Sequence, residues 1–186
     1  MKISIVTATY NSGESLRDTL ESVLSQTYDD YEHIIVDGGS TDNTLDILRE
    51  YEPRYNGRLK WHSEPDRGIY DAMHKGIARA TGELVGLLNS DDFYTSDDVL
   101  ASIAENYQSG GVDAVYGDVC YVHPHDLKKM VRRYSSASFS RWKMRLGFMP
   151  AHPSFYCRRS VYMRLGMFDL RFKIAADFEQ LLRLIF

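Results

Sequence analysis

Two short apolar runs in this chain each end in carboxylates. The Ile-Ile-Val run at 34–36 leads into Asp37, and the run at 84–88 leads into the Asn-Ser-Asp-Asp sequence at 89–92. Runs of this length, separated by segments with helical spacing, are typical of buried strands in a mostly parallel sheet. Ligands of open α/β sheets bind beyond the carboxyl ends of the strands. The two runs therefore predict a site for a metal ion and a nucleotide at one sheet edge.

The first half of the chain alternates between strand and helix patterns. Apolar residues recur every three or four positions in three segments that separate the apolar runs, at 16–24, 45–51 and 69–80. We expect Asn11 or Ser12 to cap the first of these helices, residues 40–42 the second, and Thr95 or Ser96 a later one. The order βαβαβαβ favours right-handed crossovers, which build an α/β sheet with helices on its faces.

Length and hydrophobicity predict one domain. The chain has 186 residues, 44% of them hydrophobic, which is enough for a sizeable core. We expect a regular half at 1–118, which binds the nucleotide, and a more variable acceptor-side half at 119–186. The segment from Asp177 to Phe186 is helical and apolar but has no C-cap signal. We therefore expect further residues at the C-terminus of the natural protein.

Charge is unevenly distributed along the chain. The net charge is −4, but residues 1–100 hold 9 Lys and Arg against 19 Asp and Glu, whereas residues 101–186 hold 13 against 7. A basic half of this kind can meet an anionic phospholipid surface or a lipid pyrophosphate, although an ordinary solvated surface explains it equally well. We expect no nucleic-acid partner.

Targeting signals are missing from the sequence. No apolar run approaches the roughly 20 residues that span a bilayer, and the N-terminus lacks an export-signal pattern. These features predict a cytoplasmic protein, peripheral on the inner membrane face if the basic half binds lipid. Cys120 and Cys157 lack metal-ligand spacing and are expected to be free thiols.

Asp91 and Asp92 are the residues most suited to a divalent cation. Mg²⁺ and Mn²⁺ prefer oxygen ligands and are commonly held by one or two carboxylates together with substrate phosphates. Successive residues point in different directions, so one carboxylate can face the metal while the other accepts from a ribose hydroxyl. Aspartate is also frequent in turns, and on its own the pair fits that structural role as well.

Five motifs together resemble those of the family 2 glycosyltransferases of the GT-A fold, a three-layer α/β/α architecture. The resemblance covers essentially the entire chain and is greatest for bacterial enzymes that assemble capsule, exopolysaccharide or O-antigen repeat units. The motifs, in chain order, are Thr7-Ala8-Thr9-Tyr10-Asn11, Ser22-Val23-Leu24-Ser25-Gln26, the run from Asp37 to Thr44, Gly82-Glu83, and Asn89-Ser90-Asp91-Asp92.

This resemblance implies an inverting, metal-dependent transfer of a sugar from a nucleotide-diphosphate donor, expected to be UDP-linked. The acceptor is expected to be a saccharide or a lipid-linked saccharide. The cofactor would be Mn²⁺ or Mg²⁺, with Asp92 as the main ligand and Asp91 on the metal or the ribose. The first position of the family's metal motif is usually an acid, whereas this chain has Asn89 there.

The resemblance also implies a set of nucleotide-sugar contacts. Asp37 would accept from the uracil ring N–H, and the segment 66–76 would close over the nucleotide with two cations near the pyrophosphate. The full set is Thr7, Thr9, Asn11, Asp37, Asp66, Arg67, Asp71, Lys75, Asn89 and Asp91. Simpler explanations remain open: Asp37 as a turn former, Asp66 as a helix cap, and Asp71 with Lys75 as an i,i+4 pair.

The implied general base lies late in the chain. Asp177 follows a Gly-Met-Phe-Asp run at 166–169 that resembles the family sequence preceding the base, and Glu179 is the weaker candidate. A helix N-terminal acid favoured by the dipole is the alternative for Asp177. On the acceptor side the resemblance suggests Asp118 and His152, and a structural loop histidine is at least as plausible for the latter.

Two other functions are compatible with parts of the pattern. A sugar-phosphate nucleotidyltransferase would carry a Gly-rich loop with a cation after the first strand, but residues 8–13 contain no Lys or Arg. A non-catalytic module that binds nucleotide-sugars or polysaccharides would retain the donor site without a functional base. Donor hydrolysis that depends on Asp177 distinguishes an enzyme from such a module.

Overall fold

The computed structural model describes residues 1–186. The strands are β1 (Ile3–Thr9), β2 (Tyr31–Asp37), β3 (Leu59–Ser63), β4 (Leu84–Leu87), β5 (Ala114–Val115), β6 (Val119–His123), β7 (Asp126–Tyr134) and β8 (Tyr156–Arg158). The helices are α1 (Leu16–Leu24), α2 (Thr44–Tyr51), α3 (Ile69–Arg79), α4 (Val99–Gly110), α5 (Arg141–Met144), α6 (Arg159–Leu165) and α7 (Ala176–Ile185), with short 3-10 helices at Glu52–Tyr55, Ser136–Ser138 and His152–Ser154.

Six strands form the central sheet in the order β3-β2-β1-β4-β8-β5. The first four are parallel, and β8 runs antiparallel to both of its neighbours. The predicted α/β class and the mostly parallel sheet are confirmed. Strands β6 and β7 form a separate hairpin, with its turn at 123–126.

Helices cover the sheet on both faces. One core packs beneath α1, α2 and α4, with Leu20, Ile47 and Leu100 as members. The other packs beneath α3, α6 and α7 and includes Ile77 and Leu181. Because both faces are covered, every residue of β1 and β2 is buried, as expected for parallel strands inside a three-layer fold.

All three helix starts differ from the sequence expectation, since α2 has Asn43 as its N-cap rather than a residue of 40–42. Helix α1 has Ser15 as its N-cap, and the side-chain oxygens of Asn11 and Ser12 are engaged elsewhere: Asn11 Oδ1 accepts from the Thr41 N–H at 2.9 Å, and Ser12 Oγ is 2.8 Å from Ser90 Oγ. Helix α4 begins after Asp98 rather than after Thr95 or Ser96. Ahead of α2, Asp42 accepts from the Thr44 N–H at 3.0 Å, close to the predicted position. The caps of these helices are therefore polar residues, as expected, but they lie one or more positions after the predicted ones.

Both cysteines are free thiols, as predicted, with Cys157 buried and Cys120 half-buried. None of the helices has the length and apolar character needed to cross a bilayer.

A buried histidine links β2 to the core. His33 is completely buried, with Nε2 2.9 Å from Thr7 Oγ1 and Nδ1 3.3 Å from the Tyr55 hydroxyl. Burial lowers the pKa of His33 to about 3. The unfolded chain takes up this proton near pH 6.5, whereas the folded chain resists it until about pH 3. Stability is therefore lost as the pH falls from about 6.5 towards 3.

We expect His33 alone to reduce the free energy of unfolding by about 2 kcal/mol between pH 7 and pH 5. Urea unfolding at the two pH values, with His33→Gln as the comparison, measures this contribution. The glutamine variant is expected to lose correspondingly less stability over that interval. Parallel pH dependence of the two proteins would contradict the prediction.

Candidate active site

The strand directions bring the candidate segments to one edge of the sheet. The carboxyl ends of β1, β2 and β4 lie there because these strands are parallel. Strand β8 is antiparallel to β4, so the residues that precede it, 152–155, reach the same edge. This is the edge at which ligands of open α/β sheets bind.

Asp37 organises the turn after β2. The side chain is completely buried, and one oxygen, Oδ2, accepts from the N–H groups of Gly39 (3.0 Å) and Ser40 (2.9 Å) and from the Ser63 hydroxyl (2.6 Å). The other oxygen accepts from the Ser40 hydroxyl. A nucleobase N–H would therefore have to add to or displace one of these hydrogen bonds.

Asn11 joins the loop after β1 to that turn. Its Oδ1 accepts from the Thr41 N–H at 2.9 Å, and its own N–H donates to Ser40. Its φ of 48° is in the left-handed region, which asparagine tolerates better than most residues. Ser40 thus contacts both Asn11 and Asp37, so the two loops form one hydrogen-bonded unit.

The two threonines of β1 occupy different positions. Thr7 is completely buried and bonds to His33 inside the sheet, so the structure does not bring it to the ligand edge. Thr9 is the last residue of β1, and its buried hydroxyl has no hydrogen-bond partner. Of the two, only Thr9 has an unused polar atom at the edge.

The segment after β3 packs against the Asp37 turn. Asp66 Oδ1 accepts from the Gly68 N–H at 2.8 Å. The same carboxylate lies over Gly38, where an added Cβ would be 2.7 Å from Asp66 Oδ2. A glycine at position 38 is therefore required for this close approach. The approach places Asp66 beside Asp37, the candidate that would contact the nucleobase.

Asp71 and Lys75 pair at the start of α3. Asp71 is buried and accepts from the Arg67 N–H at 3.1 Å, and Lys75 Nζ is 3.3 Å from its carboxylate and 3.1 Å from Glu64. Burial alone would raise the pKa of Asp71, but the Arg67 N–H and the Lys75 ammonium lower it. The Arg67 guanidinium is 79% exposed and is the cation most available to a pyrophosphate.

The loop after β4 holds the metal candidates. Asn89 Nδ2 donates to Asp92 Oδ2 at 2.9 Å, while Asn89 Oδ1 is buried without a hydrogen-bond partner and Asp91 is exposed. Burial raises the pKa of Asp92, the Asn89 amide opposes the shift, and the Asp91 charge adds to it. Hydroxyls of α1 fix the loop backbone, since Thr19 bonds to the Asp92 carbonyl at 2.8 Å.

This donor set fits a hard divalent cation that takes part of its coordination from substrate. No group of three or more His, Cys, Asp or Glu residues in the chain could hold a metal by itself. Two carboxylates and an amide oxygen without a partner match the protein's usual share of a Mg²⁺ or Mn²⁺ site, in which phosphates and water complete the shell.

Asp177 lies in the first turn of α7. Its Oδ1 accepts from the Tyr70 hydroxyl at 3.1 Å, and its Oδ2 has no hydrogen bond. Glu179 is engaged differently, because Arg183 Nε bonds to its carboxylate at 2.6 Å and the same guanidinium reaches the Gly166 carbonyl at 2.9 Å. Asp177 is therefore the acid of this turn that has a free oxygen.

The two acceptor-side candidates, His152 and Asp118, have different surroundings. His152 is buried against Phe168, with ring centroids 5.7 Å apart. Burial lowers the pKa of His152, and the nearby Asp177 carboxylate opposes that shift. Asp118 instead accepts from the Ser136 N–H at 2.7 Å and pairs with Arg133. The hydrogen bonds from Ser136, together with the Arg133 guanidinium, lower the pKa of Asp118 to about 2. Asp118 thus fastens the β6–β7 hairpin.

A cavity of about 800 Å³ opens between α4 and strands β5 and β6. Asp91 and Asp92 stand at one part of its wall, and Asp118 and Pro153 at others. Fourteen of its 25 lining residues are hydrophobic, and none is Lys, Arg or His. Asp37 and Asp177 do not line it, so the cavity is separate from the candidate base and from the turn after β2.

Comparison with known proteins identifies the family. The profile described as "Glycosyl transferase family 2" matches residues 4–166. The chain belongs to this family. A PGL/p-HBAD biosynthesis glycosyltransferase of Mycobacterium bovis (strain BCG / Pasteur 1173P2) is 34% identical to this family 2 member over 180 residues, which are 95% of this chain and 66% of the relative. An uncharacterized glycosyltransferase of Mycobacterium tuberculosis (strain CDC 1551 / Oshkosh) is 37% identical over 97% of this chain and 68% of its own.

The chain thus spans about two thirds of the length of these relatives. Among solved structures, residues 1–349 of S. aureus TarS in complex with UDP superpose on 98% of this family 2 chain with a TM-score of 0.79 and 22% identity, over 54% of that 1–349 chain. A mannosyltransferase from Pyrobaculum calidifontis with GDP-Man and Mn²⁺ covers 94% with a TM-score of 0.70 and 23% identity, over 49% of its own chain. These likenesses establish the fold.

Sequence reasoning assigned no role to two residues that contact the site. Tyr70 lies inside the segment expected to close over the nucleotide, and Phe168 lies inside the Gly-Met-Phe-Asp run. Each motif was recognised, but their contact with one another and with Asp177 depends on how α3 and α7 pack.

Proposed function

We propose that this protein is an inverting glycosyltransferase that moves a sugar from a UDP-sugar to a saccharide or lipid-linked saccharide in cell-surface polysaccharide synthesis. The observation that carries the proposal is the pairing of two features in one family 2 chain. A hydrogen-bonded nucleotide edge is formed by Asn11, Asp37 and Asp66, and a separate carboxylate, Asp177, keeps one oxygen free. The TarS complex with UDP supports uridine as the nucleotide.

Donor recognition falls to the polar residues along the sheet edge. Thr9 and Asn11 supply side chains at the end of β1, and Asp37 accepts from the base once a turn hydrogen bond is exchanged. Arg67 is placed to meet the diphosphate, with Asp71 and Lys75 fixing the start of α3 beneath it. Thr7 has no direct part in this assignment.

Asp92, Asp91 and the Asn89 amide oxygen would hold a divalent cation. When bound, Mn²⁺ or Mg²⁺ supplies positive charge that stabilises the leaving nucleoside diphosphate. The neighbour that contains GDP-Man and Mn²⁺ supports this choice of metal.

Asp177 acts as the general base. Its free Oδ2 takes the proton of the acceptor hydroxyl as the oxygen attacks the anomeric carbon, and the bond to the nucleoside diphosphate breaks on the opposite face. A single displacement of this kind inverts the anomeric configuration. Tyr70 occupies Oδ1, so the proton is delivered to one defined oxygen.

The acceptor half comprises residues 119–186. The cavity beside Asp91 and Asp92 has no cationic lining and suits a neutral part of the acceptor. Strand β7 is exposed along 126–133 and carries both basic and apolar residues, which suits a peripheral contact with the anionic inner face of a membrane. Salt-insensitive or absent binding to anionic liposomes would remove the membrane part of the proposal.

Calorimetric titration of UDP and GDP, with and without Mn²⁺, tests the donor site. We expect wild-type protein to bind UDP with Mn²⁺, and Asp92→Asn to lose the manganese-dependent part, at least about tenfold in affinity. Asp97→Asn is the matched control, because Asp97 is exposed near the same loop and is not in the proposed site. Binding of neither nucleotide by folded wild type would overturn the proposal.

A further inference from the structure

Three aromatic side chains from separate parts of the chain surround the start of α7. Phe168 lies between Tyr70 of α3, at 5.2 Å between ring centroids, and His152 of the 3-10 helix, at 5.7 Å. Phe168 is 3% exposed and His152 is 9% exposed, so both side chains are buried rather than on the surface. The Tyr70 hydroxyl emerges from this stack and donates to Asp177 Oδ1 at 3.1 Å.

We infer that Tyr70 is a positioning residue for Asp177, held in place by Phe168 and His152. The inference rests on the proposed function, because it assigns Tyr70 a role through the general base. Tyr70 joins the helix that begins at the donor loop to the helix that carries the base, across 107 residues of sequence. It leaves Oδ2 as the oxygen that accepts the proton.

The surroundings of Asp177 favour this role over simple packing. Ala175, the N-cap residue of α7, has a φ of 62°, a conformation that an alanine adopts only at a cost and that a tertiary contact can compensate. The charged groups nearby on the same helix, Glu179 and Arg183, bind each other and not Asp177. Tyr70 therefore makes the side-chain hydrogen bond that orients this carboxylate.

The test is a double-mutant cycle of Tyr70→Phe and Asp177→Asn, measured as Mn²⁺-dependent UDP release from UDP-glucose and UDP-GlcNAc. Phenylalanine keeps the contact with Phe168 and removes only the hydroxyl. We expect kcat to fall at least about tenfold with KM for the donor unchanged, since a hydrogen bond to a charged group is lost. The double variant is expected to be no slower than Asp177→Asn alone, because Tyr70 acts through Asp177.

Tyr162→Phe is the control, because Tyr162 belongs to the core cluster against which Tyr70 packs, is 1% exposed, and has a hydroxyl with no hydrogen-bond partner. Wild-type kcat in Tyr70→Phe, or additive losses in the double variant, would overturn the inference while leaving the proposed function intact. Full activity in Asp177→Asn would overturn the proposed base itself. A second cycle, of Tyr70→Phe and Asp177→Ala in urea unfolding, tests the contact without turnover, because alanine removes the oxygen that accepts from Tyr70. Zero coupling between the two positions there would also overturn the inference.

Discussion

Asp177→Asn is expected to lower kcat for sugar transfer by about 10²–10⁴-fold, the contribution of a positioned general base. Asparagine has nearly the same shape and retains an oxygen to accept from Tyr70 at the position of Oδ1. It cannot accept the proton of the acceptor hydroxyl. The loss should therefore appear in kcat, with UDP affinity by calorimetry unchanged.

Glu179→Gln provides the control for this experiment. Glu179 lies two residues away on the same helix, but its carboxylate is bound by Arg183. Its neutralisation is expected to reduce stability modestly and to leave kcat within a few-fold of wild type. If Glu179→Gln abolished transfer and Asp177→Asn did not, the two acids would have exchanged roles and our assignment would be wrong.

Gly86→Ala is expected to lower the free energy of unfolding by about 3 kcal/mol, through overpacking between two paired strands. Gly86 of β4 is the register partner of Tyr156 of β8. An added Cβ would lie 2.1 Å from Tyr156 Cε1 and 2.3 Å from Cζ. The ring cannot yield easily, because Tyr156 is 1% exposed and its hydroxyl bonds to that of Tyr94.

Urea unfolding of Gly86→Ala and Gly117→Ala measures this effect. Gly117 is the control because no atom lies within 4 Å of its added Cβ, and alanine there is expected to change stability by less than about 0.5 kcal/mol. Adding Tyr156→Leu to Gly86→Ala should recover part of the loss, since the two positions share one volume. Equal unfolding midpoints for the two alanine variants would contradict the prediction.

Short-range patterns in the sequence were enough to predict the parallel half of the fold. Strands β1, β2 and β4 are marked by apolar runs, and α1 to α3 by residues three and four apart, because these periods arise within a few residues of chain. The direction of β8 is not marked by any such local pattern. Whether it lies parallel or antiparallel to β4 depends on pairing between residues about 70 positions apart.

The individual residues of the candidate site could be predicted from the sequence, but the hydrogen bonds between them could not. The candidate acids Asp37, Asp92 and Asp177 were identifiable from local motifs, since Asp37 ends β2, Asp92 lies in the loop after β4, and Asp177 lies in the first turn of α7. Which side chains are already engaged was not: Asp118 is bound by Arg133 of the hairpin, and Thr7 is bound by His33 of the neighbouring strand. Both faces of this sheet are buried, so alternation along β1 gives no indication of which threonine reaches the edge.

The sequence thus determined the types of the elements in the parallel half and the strand ends at which the candidate acids Asp37 and Asp92 lie. Only the tertiary structure decided which of them keep a free oxygen. Hydrogen bonds such as that from Tyr70 to Asp177 join residues 107 positions apart, and they form only when α3 and α7 pack on the same face of the sheet. The local sequence around Tyr70 or Asp177 does not predict this contact, because each helix can form without the other residue.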